Sequence, residues 1–62
     1  MAMTIKTKRG FYEWDSEKKC IVRLRGWNIN TDISLSALEI ELLDNNDSEL
    51  FAELIYEIET RI

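Results

Sequence analysis

The strongest periodic stretch in the chain is ISLSALEIELL, residues 33–43. Ser34 or Ser36 can act as its N-cap, because a serine hydroxyl accepts a hydrogen bond from an orphan N–H of the first turn. Ser36 with Glu39 three residues on has the spacing of a capping box. Good helix formers follow, without Gly or Pro, until the chain breaks at Asp44-Asn45-Asn46-Asp47. At about 100° per residue, Leu35, Leu38 and Leu42 form one stripe. Ala37 and Ile40 lie on the far side, with Leu43 between. A helix this short needs one buried stripe, so the second apolar patch requires a domain that wraps both sides or a partner that covers it.

Before the helix the period is two. Residues 1–4 read as a frayed start, and a strand pattern begins at Ile5. Tyr12 and Trp14 face one side and Phe11 and Glu13 the other, as suits a half-buried pleated surface. Gly10 within this run marks a bulge or a late strand start. Residues 15–19 form a polar turn of hairpin length. On the returning strand Cys20, Val22 and Leu24 alternate with Ile21, Arg23 and Arg25, which predicts an apolar face and a mostly basic one. Gly26 ends that strand. Residues 27–32 form a polar connection, with Asn28, Asn30 and Asp32 as turn formers.

Residues 48–62 fit two patterns at once. Leu50, Phe51, Leu54, Ile55 and Ile58 match a helix stripe, and Asn46 with Glu49 has capping spacing. From Leu54 onward, however, Leu54, Tyr56, Ile58, Thr60 and Ile62 alternate with Ile55, Glu57, Glu59 and Arg61. A lone hairpin is marginal in water, whereas three strands plus a helix are viable. The sequence therefore predicts a helical turn over residues 48–52 and a third antiparallel strand over residues 53–61. That strand would place Glu57 and Glu59 on the face of Arg23 and Arg25, as favourable cross-strand pairs. The expected fold is α+β, one domain over residues 1–62. Its three-stranded antiparallel sheet is a hairpin plus a C-terminal strand, with one helix packed on it.

Size adds a demand for support. A 62-residue chain buries about 60% of the surface its unfolded form exposes. Small domains gain the missing stability from disulfides, a metal or oligomerisation. Cys20 is the only cysteine and there is no histidine, which removes an internal disulfide and a zinc site. A homodimer is the expected remedy. No apolar run approaches 18 residues, and no signal-peptide or lipidation pattern is present. These features predict a soluble cytoplasmic protein with Cys20 reduced.

The net charge of −4 conceals a division. Residues 1–27 carry seven bases against three acids, and residues 28–62 carry nine acids against Arg61 alone. The two halves can neutralise one another across a small surface. Alternatively, the acidic half is a field for a basic surface, such as the DNA-binding cleft of another protein. Such a half repels nucleic acid itself.

Little catalytic chemistry is available. There is no histidine base, no Ser–His–Asp set, no phosphate-cradling glycine loop and no metal cluster. The expectation is a protein without catalytic residues, cofactor or metal. Cys20 on an apolar strand face reads as a small buried hydrophobe. Trp14 reads as core, while Trp27, on the basic face just past Gly26, is a candidate interface anchor. Lys19, Arg23 and Arg25 with nearby aromatics resemble a single-strand nucleic-acid surface. Three bases against so acidic a second half argue the other way, so neither nucleic acid nor membrane is an expected partner.

A family resemblance runs over roughly residues 11–60. The order is a hairpin, Arg25-Gly26, then Ser34-Leu35-Ser36 and Leu38-Glu39, then an Asn/Asp turn and an acidic-apolar last segment. It resembles the small uracil-DNA glycosylase inhibitors of protein-primed Bacillus phages. The resemblance implies three antiparallel strands and one helix, a homodimer, and DNA mimicry that blocks a host repair enzyme by occupying its cleft. Glu39 would match a helix carboxylate used against the enzyme. Leu38 stands where the family has an aromatic, and Leu42 where it has a tyrosine, so any apolar pocket is shaped differently here. Between Gly26 and Ser34 this chain is longer than the family pattern. The candidate partner-binding residues are Leu38, Glu39, Ile40, Glu41, Leu42, Asp44 and Trp27. The expected partner is host uracil-DNA glycosylase. The alternatives are another nucleic-acid enzyme, such as a restriction or CRISPR nuclease, and a role as a structural or accessory interaction domain.

Overall fold

A computed structural model of the chain describes residues 3–61. Three strands come first, β1 (Thr4–Lys6), β2 (Gly10–Asp15) and β3 (Cys20–Gly26), followed by helices α1 (Ala37–Asp44) and α2 (Ser48–Glu59). The strands form one antiparallel sheet in the order β1-β2-β3. The class is α+β, as expected from the sequence.

The third strand, however, is N-terminal. The run that begins near Ile5 folds back on itself at residues 7–9, and Ile5 pairs with Tyr12. With β1 in place the hairpin has its third strand, and residues 53–61 are free to be helical. The helix wins there because Phe51, Leu54, Ile55 and Ile58 are all buried. A strand would send Ile55 to the face opposite Leu54 and Ile58. A helix also satisfies its own backbone, whereas a strand would need an open sheet edge. The cap of α2 is Asp47, whose carboxylate accepts from the Leu50 N–H at 3.1 Å. Asn46 instead adopts φ +64° beyond the end of α1, so the expected Asn46–Glu49 pair does not form.

β2 buries Gly10, Tyr12 and Trp14, the side its alternation predicted. β3 is corrected. Ile21, opposite Trp14, is its buried residue, while Cys20 and Val22 are half-buried and Leu24 is half exposed. Alternation defines two faces but not which one is covered, and the pairing with β2 decides that. A bulge between Phe11 and Tyr12 also shifts the register, from Phe11↔Arg25 to Tyr12↔Arg23.

Both helices lie on the Tyr12–Trp14 side of the sheet, making two layers. The core joins Tyr12, Trp14 and Ile21 to Leu43 of α1 and to Phe51, Leu54, Ile55 and Ile58 of α2. Leu35, Ile40 and Leu50 pack around it. The other sheet face, with Lys6, Phe11, Val22 and Arg25, carries no helix.

The sequence leaves the docking side of α1 open between two apolar patches, and burial decides it. Leu43 is fully buried, whereas Leu38 is 64% and Leu42 36% exposed. The helix sits on Leu43 and Ile40, one turn apart, and the Leu38–Leu42 side faces outward.

Candidate functional site

α1 begins with the predicted capping box. The Ser36 hydroxyl accepts from the Glu39 N–H at 3.1 Å, and the Glu39 carboxylate accepts from the Ser36 N–H at 2.9 Å. Two orphan donors are satisfied reciprocally, so Glu39 is engaged within the helix start. Asp44, at the other end, accepts from Trp14 Nε1 at 2.9 Å and from Lys19 Nζ at 2.5 Å. The Lys19 ammonium, and secondarily the Trp14 N–H, hold the Asp44 carboxyl below the usual carboxylate range. Asp44 thus ties the end of α1 to the β2–β3 turn. Ile40 packs against the core fringe.

Three of the seven sequence candidates remain free to meet a partner together. Leu38, Glu41 and Leu42 are exposed and share one side of α1, at spacings of three and four. Trp27 is also exposed, at 57%, but lies beyond the far end of β3. Six residue steps along a strand separate Cys20 from Gly26, or about 20 Å. The Arg9 guanidinium sits over the Trp27 ring, 5.7 Å from its centroid.

α2 supplies carboxylates that sequence reasoning missed. Glu49, Glu53 and Glu57 are exposed and recur every fourth residue, about 6 Å apart along the axis. Tyr56 beside them is 72% exposed. Glu57 pairs with Arg61 at 3.3 Å, and both side chains are half exposed. Among the described residues, Glu41, Glu49 and Glu53 make no ion pair. The signal was the four-residue repeat of Glu, which the strand assignment of residues 53–61 obscured.

The remaining polar cluster faces inward. Glu59, 8% exposed, accepts hydrogen bonds from the Tyr12 hydroxyl at 2.9 Å and the Thr7 hydroxyl at 2.5 Å. Burial, and secondarily this carboxylate, push the Tyr12 phenol up to about 12. The expected pairing of Glu57 and Glu59 with Arg23 and Arg25 does not occur, because the segment is helical. Among the described residues no group of three or more His, Cys, Asp or Glu side chains is placed to hold a metal ion. No helix there is long and apolar enough to cross a membrane. Comparison with protein-family models, with curated proteins and with solved structures gives no match.

Proposed function

We propose that the protein is a non-catalytic, DNA-mimicking inhibitor that presents its helical layer to the basic DNA-binding cleft of a host enzyme, with uracil-DNA glycosylase as its target. The supporting observation is the charge of that layer. Residues 37–60 hold eight acids and no base, and Glu41, Glu49 and Glu53 stand exposed with no ion pair among the described residues. A cleft built to hold bent DNA offers Lys and Arg to phosphates and wedges an apolar side chain into the duplex while the base is flipped out. Carboxylates at intervals of about 6 Å along a rigid helix suit the cations. Leu38 and Leu42, exposed beside Glu41, suit the wedge. The apolar groove forms when two α1 helices meet about a two-fold axis in a homodimer.

The target comes from the resemblance in the order of sequence elements. The helical layer itself fits any enzyme that grips DNA through a basic groove. Titration of the protein against uracil-DNA glycosylase acting on a uracil-containing duplex tests this directly. Inhibition competitive with DNA, and weaker at high salt, is the expected result. Excision that continues unchanged at large molar excess removes the glycosylase. Capture of a different DNA-binding enzyme from host lysate would then name the target.

A further inference from the structure

Four of the seven cations of the N-terminal half gather at one end of the sheet. Lys6, Lys8, Arg9 and Arg25 surround one open groove at the β1–β2 turn, with Phe11 and Trp27 among them. All four cations are exposed, Trp27 is exposed and Phe11 is half-buried. Among the described residues the only acid near these cations by ion pairing is Glu59, which lies 4.0 Å from Arg9 and is already hydrogen-bonded to Thr7 and Tyr12.

The groove is held in shape by the fold. The Thr7 hydroxyl accepts from the N–H groups of Arg9 and Gly10 while it donates to Glu59. The Trp27 N–H donates to the Arg9 carbonyl at 2.8 Å. Gly26, at φ +111°, lets this junction close, because a Cβ there would lie 2.4 Å from the Arg9 oxygen. Arg23 braces the corner with a bond to the Gly26 carbonyl. The backbone that carries these cations and aromatics is therefore fixed in advance, which lowers the ordering cost of binding.

We infer that this end of the sheet is a binding site for single-stranded nucleic acid, with Lys6, Lys8 and Arg25 on backbone phosphates and Trp27 and Phe11 as stacking surfaces for bases. Cationic grooves interleaved with exposed aromatics are the pattern by which single strands are held without sequence preference. The overall charge of −4 argues against nucleic acid only if charge is uniform, and here the acids are concentrated on the helices. A purely acidic peptide would satisfy the cations but leave the aromatic faces unused. The site is separate from the exposed carboxylates Glu41, Glu49 and Glu53 and does not depend on the function proposed for them.

The test titrates a dodecathymidylate into the protein and follows tryptophan fluorescence, in which buried Trp14 is a constant background and exposed Trp27 the reporter. Saturable quenching is expected. With three phosphates neutralised, affinity falls about twenty-fold between 50 and 200 mM salt, from a logarithmic slope of about −2.1. The double variant Lys8→Glu, Arg25→Glu, both surface positions, brings the slope to about −0.7 or flatter. Trp27→Leu, followed with a fluorescein-labelled strand, weakens binding about ten-fold. Circular dichroism of each variant checks that the fold is retained. Absence of saturable binding at 50 mM salt overturns the inference, as does a folded double variant that binds like wild type. Poly-glutamate bound as tightly as the oligonucleotide, with Trp27→Leu without effect, would assign the groove to an acidic protein segment instead.

Discussion

Tyr12 and Asp44 are two side chains whose ionisation is shifted by the fold, in opposite directions. The Tyr12 phenol is raised from 10.0 to about 12, so its contribution to stability is complete below pH 10 and is lost as the pH rises from there through about 12. Tyr12→Phe leaves buried Glu59 with one hydroxyl partner fewer. It should cost about 1–3 kcal/mol at neutral pH and lose less stability than wild type between pH 10 and 12, both read from denaturant unfolding across pH. Asp44 is lowered from 3.8, so its contribution is present above that value and fades as the pH falls through and below it. Asp44→Asn should be less stable than wild type at pH 7 and show a shallower decline into acid in the same measurement. The alternation around Tyr12 and Trp14 made their burial legible, since only one side of that strand is uniformly large and apolar. Nothing local announced Glu59. Its hydroxyl partners lie 52 and 47 residues away in sequence, and a carboxylate is tolerable in a core only when such donors arrive.

The elements that were legible are those fixed by short-range chemistry. The Ser36–Glu39 capping box depends on four consecutive residues and formed as expected. Ser36→Ala should cost about 1 kcal/mol, measurable as a lowered urea midpoint with an unchanged slope. α2 was misassigned because residues 54–62 satisfy the two-residue and the 3.6-residue periods together, and the choice turned on whether a third strand existed elsewhere. β1 is only three residues long, too short to declare itself before Gly10. Fully buried Phe51 gives the check: Phe51→Ala should cost about 3–5 kcal/mol, whereas the strand assignment left that residue in a peripheral turn. The covered face of β3 was illegible for a related reason. The strand's more apolar face, Cys20, Val22 and Leu24, is not the covered one, because the pairing with β2 sets Ile21 opposite buried Trp14.

At the scale of the whole molecule, the division of charge along the sequence becomes a division in space. Eight of the twelve acids fall in residues 37–60, and Lys6, Lys8, Arg9 and Arg25 gather around the groove beside Trp27. The candidate site was half legible on this account. The acidic half was legible in the sequence, the outward side of α1 was open between two apolar patches, and the α2 carboxylates depend on a helix where the sequence predicts a strand. Trp27, which the sequence offers as a candidate interface anchor on the basic face, is exposed at the basic end of the sheet and apart from the outward side of α1. The homodimer proposed through Leu38 and Leu42 predicts that Leu38→Lys yields a monomer in sedimentation, with the stability of the isolated fold changed by less than about 0.5 kcal/mol, as at an ordinary surface position. The central proposal is that exposed helical carboxylates compete for the DNA-binding cleft of uracil-DNA glycosylase. Calorimetric titration of the protein into purified uracil-DNA glycosylase, with wild type and with the triple variant Glu41→Gln, Glu49→Gln, Glu53→Gln, tests it most directly. The account predicts wild-type binding that is displaced by DNA and weakened at least ten-fold in the folded triple variant. Binding of equal strength by both proteins, or none by either, would contradict it.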